Sequence, residues 1–153
     1  MKKTQLVRKT PLKTKTAKKH PARRSKLTAK APKKPKVTAL KKLLWNECKR
    51  IVRARHGYNC YTCGKYTEAP HTGHFIPSSV CSAEMRYSLE NLRPQCFACN
   101  IHKSGNWPAY EAHLIIDYGQ DYPEQLKQKN RDTIGRQYDS LWYLSKIDEY
   151  RLL

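Results

Sequence analysis

The sequence predicts an α+β protein in which a small zinc-stabilised core of strand, loop, strand and helix is flanked by N- and C-terminal α-helices. A disordered basic tail precedes the whole. Three observations predict this: a lysine-rich, acid-free beginning; helical apolar spacing on either side of the centre; and two Cys-x-x-Cys turns framing a stretch that holds His71, His74 and Asn91. The boundaries expected are a tail over 1–37 and a domain over 38–153. That domain divides into an N-terminal helix over 38–56, a zinc-bound core over 57–106 and C-terminal helices over 107–153.

The chain has 153 residues and a formal net charge of +19, most of it at the front. Residues 1–36 hold fifteen lysines and arginines and no acid, so the rest of the chain carries only +4. With Pro11, Pro21, Pro32 and Pro35 and few large apolar side chains, the tail cannot bury enough surface to offset its ordering entropy. Its charge predicts salt-sensitive, sequence-independent binding to nucleic acid, because each cation that meets a phosphate releases counterions. A solubility tail or a basic address signal is the alternative. No run approaches the roughly 18 apolar residues of a membrane span, and the charged N-terminus has no apolar signal region. A reducing, cytoplasmic setting is therefore expected.

Thr38 is the expected N-cap of the first helix. Leu40, Leu44, Cys48, Ile51 and Val52 recur at helical spacing and leave Lys41, Lys42, Lys49 and Arg53 elsewhere. The apolar face is expected to pack on the zinc module, while Lys41 and Lys49 either contact nucleic acid or are simply solvated. His56-Gly57 should end the helix through a left-handed cap. His71 to Pro77 predicts a short strand that the proline stops, and Met85-Arg86-Tyr87 a second. Glu90 to Pro94 leads into the second cysteine turn, followed by a short helix over 97–103 closed at Gly105. Pro108 opens a helix containing Tyr110, Leu114 and Ile115 that runs to Tyr118-Gly119. Asp121 and Pro123 begin another, through Leu126. Leu141, Leu144, Ile147 and Tyr150, near Tyr138 and Trp142, are expected to pack over the zinc module; a homodimer seam is the other use for such a face.

Cys60, Cys63, Cys96 and Cys99 match a structural zinc site, in which each Cys-x-x-Cys turn supplies one edge of a tetrahedron. The 32 residues from 64 to 95 exceed the spacing of a compact ribbon, so the loop between the pairs should carry its own substructure. A redox dithiol or two disulfides are the competing readings, but no βαβ pattern accompanies the pairs. Cys48 reads as a small core residue and Cys81 as a free thiol. The loop and its exit contain His71, His74, Asn91, Asn100 and Lys103. A neutral imidazole such as His74 is suited to taking a proton from water near neutral pH. Arg86 and Arg93 can bind phosphate as planar forks, or pair with Glu84 or Glu90.

The run Cys-x-x-Cys-Gly, Gly73-His74-Phe75-Ile76-Pro77, Glu90-Asn91-Leu92 and Gln95-Cys96-x-x-Cys99-Asn100-x-x-Lys103 resembles the HNH nucleases. Their fold is a ββα-metal core often buttressed by four zinc-binding cysteines. More narrowly, Gly73-His74-Phe75, Met85-Arg86-Tyr87, Glu90-Asn91 and Gln95 to Asn106 are similar to the NinG family of lambdoid phages, also called Rap. That family is associated with phage recombination and with cutting branched DNA such as Holliday junctions and D-loops. The resemblance extends from the helix near Leu40 to the C-terminal residues and leaves the basic tail outside. It implies a metal-dependent DNA endonuclease with His74 as general base, Asn91 fixing the loop and orienting that histidine, and Lys103 contacting a phosphate oxygen. Asn100 would ligate a catalytic divalent metal, Mg2+ or Mn2+, distinct from the structural Zn2+. Gly73 stands where many HNH members have a ligand, so His71, or more weakly Glu90, would complete the set. Arg86, Arg93, Lys41, Lys49 and Lys103 are the expected DNA contacts. A noncatalytic zinc-stabilised nucleic-acid-binding or recombination accessory protein is the alternative, and a dimer would suit paired strand cuts. No phosphate-binding glycine loop is present, which argues against an ATP-driven motor.

Overall fold

A computed structural model describes residues 35–153; the expected tail disorder falls almost entirely on residues outside that range. Helix α1 spans Val37–His56 and begins one residue before the expected cap. Lys36 is its N-cap and offers no side-chain hydrogen bond, so Thr38 lies inside the first turn. The apolar spacing translates directly into packing, since Leu40, Leu44, Cys48, Ile51 and Val52 are all buried. Gly57 ends the helix at φ 70°, and its N–H donates to the Arg53 carbonyl.

Strand β1, His71–His74, and strand β2, Leu92–Gln95, form a two-stranded antiparallel sheet. His71 faces Gln95, Thr72 faces Pro94, Gly73 faces Arg93 and His74 faces Leu92. Pro94 is tolerated because a two-stranded ribbon leaves one side of each strand free of ladder bonds; its carbonyl accepts the Tyr61 N–H at 2.8 Å, tying the sheet to the first cysteine turn.

Met85-Arg86-Tyr87, expected as the second strand, is instead the end of helix α2, Ala83–Tyr87. Ser82 decides this. Its hydroxyl caps the Met85 N–H at 3.1 Å and meets Thr133 Oγ1 at 2.7 Å, so the chain turns into a helix where a strand was expected. A 3₁₀ turn, Leu89–Asn91, then feeds β2, and a π-helical turn, Ala98–His102, follows the second cysteine pair. Helices α3, Trp107–Tyr118, α4, Tyr122–Thr133, and α5, Ser140–Arg151, complete the order. Both α3 and α4 carry proline in the first turn, as expected for Pro108 and Pro123, but α4 runs well past Leu126.

Two apolar clusters hold these elements. In the first, the buried face of α1 meets Tyr143, Ile147 and Tyr150 of α5, with Tyr87 and Leu92 between them. Full burial of one such aliphatic side chain contributes about 1.5–3 kcal/mol. Polar contacts fix the register: Tyr150 Oη and Cys48 Sγ both donate to the Tyr87 carbonyl, at 2.8 and 3.5 Å, and Arg50 Nη2 donates to the Tyr150 carbonyl at 2.7 Å. The principal partner of α1 is therefore α5, not the zinc module. Tyr143 takes the buried position that Leu141 and Leu144 were expected to fill; Leu141 is exposed and Leu144 half-buried. The second cluster joins Phe75, Ile76 and Met85 to Tyr110, Leu114 and Leu126 of α3 and α4. Leu92 of β2 belongs to the first cluster and Phe75, directly after β1, to the second, so the two strands connect them.

Candidate metal centre and histidine groove

The four sulfurs of Cys60, Cys63, Cys96 and Cys99 lie within 4.8 Å of one another. They can hold a metal ion, and an all-thiolate set at this spacing suits tetrahedral zinc. All six cysteines are free thiols. The turns supply donors that favour thiolates: the Cys99 N–H points to Cys96 Sγ at 3.5 Å and Asn106 Nδ2 to Cys99 Sγ at 3.7 Å. Burial opposes ionisation of Cys60, but hydrogen bonds from Thr62 and the backbone outweigh it and bring the thiol down to about 6. At Cys63 the Lys65 N–H favours the thiolate, yet burial and the adjoining sulfurs push it up to about 12. Four thiolates so close together repel unless a cation neutralises them, which is the electrostatic case for a bound ion. Cys48, fully buried, and Cys81, half-buried, lie outside this cluster.

Beside the cluster, His74 leaves β1 into an open groove of about 440 Å³ whose lining includes Trp45, Thr72, Ser78, Asn100 and Ser104. The imidazole is held from two sides. Its Nε2 lies 3.0 Å from the Arg86 carbonyl, so in the neutral ring Nε2 carries the proton and Nδ1 remains an acceptor. Its face stacks on the Trp45 indole, with centroids 5.2 Å apart and planes 4° from parallel. Burial, more than the Arg86 carbonyl opposes it, holds the imidazole below its ordinary 6.5, and the Arg86 charge lowers it further.

Asn91 is fully buried and spends its amide on the connecting loop. Oδ1 accepts the Ile76 N–H at 2.7 Å, while Nδ2 donates to the carbonyls of Ile76 and Met85 at 3.2 and 3.1 Å. Its carbonyl accepts the Phe75 N–H at 2.9 Å, directly after His74. Asn91 thus fixes the loop ends around the histidine without hydrogen-bonding its ring.

Asn100 reaches both the groove and His71, its Nδ2 lying 3.0 Å from His71 Nδ1. Its Oδ1 makes no hydrogen bond among the described residues, a suitable donor for a hard cation. His71 and Asn100 are therefore together, but as a hydrogen-bonded pair; ligating one ion jointly would require this bond to be exchanged. The edge of the His71 ring also meets Phe97. Glu90 does not join them, since its carboxylate pairs with Lys129 at 2.7 Å on the α4 side. Gly73 is required for space. A Cβ there would stand 1.9 Å from Oε1 of the fully buried Gln95, which occupies the volume any side-chain ligand would need.

The expected DNA contacts divide. Arg86 is exposed beside His74 and donates to the Ser78 carbonyl. Lys41 lies over the Tyr143 ring and lines a shallow pocket with Arg86, and Lys49 lines a groove along α1. Lys103 is exposed at the end of the π-helical turn. Arg93 is not a surface fork. It is 3 % exposed, donates to the carbonyls of Leu89, Glu90 and Leu92 and to Tyr118 Oη, and lies against the rings of Tyr61 and Tyr118. Its guanidinium is consumed internally, and the alternative of a pair between Arg86 or Arg93 and Glu84 or Glu90 is not formed either, since Glu90 pairs with Lys129 and Glu84 accepts from Tyr138. Trp45 is the main groove residue that sequence reasoning missed. Its place at i, i+4 and i+8 with Lys41 and Lys49 was the available signal.

No helix among the described residues is long and apolar enough to cross a membrane. No solved structure matches the chain. The protein called ninG of Escherichia phage lambda is 30% identical over 71 residues, covering 46% of this chain and 35% of that protein. The ninG protein of Salmonella phage P22 is 33% identical over 60 residues, 39% of this chain and 30% of its own length. These alignments span about a third of each relative. A family model described as bacteriophage Lambda NinG protein matches residues 1–150, so the likeness includes the basic tail that the sequence reading left outside it. With nearly its whole length matched, the chain belongs to the NinG family.

Proposed function

We propose that the chain is a metal-dependent DNA endonuclease of HNH type, acting on branched DNA in phage recombination, with a structural zinc at the four cysteines. The observation that carries this reading is the setting of His74: an imidazole anchored through Nε2, stacked on Trp45 and lining a groove together with Asn100, with Nδ1 making no hydrogen bond among the described residues. In the proposed reaction Nδ1 takes a proton from water as the water oxygen attacks phosphorus. A new P–O bond forms, the bond to one sugar oxygen breaks, and that oxygen leaves with a proton drawn from solvent. A divalent cation, Mg2+ or Mn2+, bound through Asn100 Oδ1 would act as a Lewis acid for the charge that develops on the phosphate and leaving oxygens. His71 is the further candidate ligand, Asn91 a positioning residue, and Arg86 and Lys103 phosphate contacts. The basic tail, Lys41 and Lys49 would add affinity without sequence preference.

The test is strand cleavage of matched branched and linear DNA with Mg2+, Mn2+ or chelator, comparing the parent with His74→Ala. Branch-selective, metal-dependent cutting that His74→Ala loses, with binding nearly intact, is the expected result. Equal cutting by His74→Ala would remove the mechanism, and binding without cutting in any metal would make the chain a noncatalytic zinc-stabilised DNA-binding protein.

A further inference from the structure

The histidine groove is not the largest concavity on the described surface. Farther along α1, a groove of about 550 Å³ opens between the helix and the segment after it, lined by Lys49, Arg53 and Tyr58 among others. Arg50 borders it but is engaged, with Nε on Glu47 at 2.8 Å and Nη2 on the Tyr150 carbonyl at 2.7 Å. That pairing neutralises the nearby acid. Lys49 and Arg53 form no ion pair among the described residues.

One side of this groove is the Tyr58 ring, and Tyr66, outside the lining, stands next to it. Tyr58 is 42 % exposed and Tyr66 67 % exposed, with ring centroids 6.1 Å apart and planes tilted by 38°. Backbone bonds set the pair, through the Asn59–Tyr66 bridge and the Thr67 N–H donating to the Tyr58 carbonyl at 3.1 Å. The Arg53 guanidinium lies 5.9 Å from the Tyr58 centroid, so a cation already braces that ring. The rings are too close and too tilted for a base to slip between them, which leaves the outer face of Tyr66 and the edge of Tyr58 as the platform. Unpaired cations beside exposed aromatic faces are the combination that binds a nucleic-acid strand by its phosphates and unstacked bases. From Trp45, against His74, to Arg53 the helix rises about 12 Å, roughly three to four stacked nucleotides.

We infer that this groove receives an unpaired DNA strand leaving the histidine groove, with its phosphates on Lys49 and Arg53 and one base on the Tyr58–Tyr66 platform. This rests on the proposal that the chain acts on DNA and adds how an unpaired segment would be distinguished from a continuous duplex. Charge alone cannot make that distinction, because a duplex carries phosphates as well.

The experiment measures equilibrium binding of the full chain, in the His74→Ala background, to a branched DNA bearing a short thymine gap. A matched DNA has abasic residues in the gap and the same number of phosphates. One stacked base is worth at least about 1 kcal/mol, so the thymine form should bind about fivefold tighter or more. Tyr58→Ala/Tyr66→Ala should erase that ratio, while Lys49→Gln/Arg53→Gln should weaken both DNAs alike and flatten the salt dependence. Circular dichroism and zinc content check that each variant is folded. Equal affinity of the parent for the two DNAs, or a thymine preference that survives loss of both tyrosines, overturns the inference. Cleavage by otherwise parental chains carrying the same groove substitutions is read separately. If the thymine preference is found but no variant or parent cuts, the groove stands and the nuclease proposal falls.

Discussion

Replacing Gly73 by alanine should destabilise the fold even though its backbone torsion is not one that requires glycine. The cost is spatial. The new methyl would lie 1.9 Å from Gln95 Oε1 and 2.7 Å from its Cδ, so the Gln95 side chain must move. A surface glutamine would swing aside cheaply, but this one is fully buried, and its Nε2 donates to the Gly105 carbonyl at 2.6 Å and to Thr62 Oγ1 at 3.3 Å. Overpacking costs about 1–3 kcal/mol, and a buried polar group stripped of its partner about 1–3 kcal/mol more. Removing a glycine from the unfolded chain returns only about 0.4–1 kcal/mol. A net loss of about 2–4 kcal/mol should lower Tm by roughly 5–15 °C in a chain of this size. Thermal unfolding by circular dichroism would be run on the parent, Gly73→Ala, Gln95→Ala and the double variant. In the Gln95→Ala background Gly73→Ala should cost almost nothing, because the obstructing atoms are gone. An equal cost in both backgrounds, or no cost in the parent, refutes the reasoning.

Arg93→Lys should lower Tm, by about 2–4 kcal/mol of stability, because a single ammonium cannot serve the carbonyls and aromatic faces that the guanidinium meets; unchanged stability with weakened DNA binding would restore Arg93 to the surface. Asn91→Ala deletes three loop hydrogen bonds at a fully buried site and should cost about 3 kcal/mol in chemical denaturation; a loss below about 1 kcal/mol would mean the loop is held otherwise. Chelation, or Cys99→Ser, should release one zinc per chain and lower Tm, and metal analysis that finds no zinc in the parent removes the metal centre. The His74 imidazole is held below its ordinary 6.5, so it is neutral above that pH in both folded and unfolded chains. As pH falls below 6.5 the unfolded chain binds the proton first, and the stabilisation fades as the folded ring is approached in turn. If cutting occurs, its acid limb should likewise lie below 6.5 and vanish with the residual activity of His74→Ala; a midpoint above 6.5 contradicts the burial argument.

Much of the architecture was legible because it is written in local spacing. The five apolar positions of α1 are all buried, and two Cys-x-x-Cys turns suffice to bring four sulfurs together. Prolines marked the starts of α3 and α4. Where partners come from far along the chain, local pattern gave no answer. Arg93 looks like any basic residue until Tyr61 and Tyr118 close around it. Met85 to Tyr87 was expected as a strand, but the Ser82 cap and contact with Thr133 of α4 favour a helix. In the groove, His74 and Asn100 stood out as chemistry-bearing residues. The indole that stacks on His74 arrives from α1, across a sequence gap no motif spans.

The pairing of α1 with α5 also bears on how the chain is made. Arg50 and the Tyr150 carbonyl that it grips are 100 residues apart, so the first described helix leaves the ribosome long before its partner exists. During that interval Leu40, Leu44, Ile51 and Val52 have no α5 to cover them, and late closure of a long loop slows assembly. The cysteine turns and the short sheet lie wholly inside that loop. Metal capture can therefore organise the middle of the nascent chain before the two helices meet. A ribosome stalled before Ser140 would display an apolar stripe, open to chaperones and to aggregation.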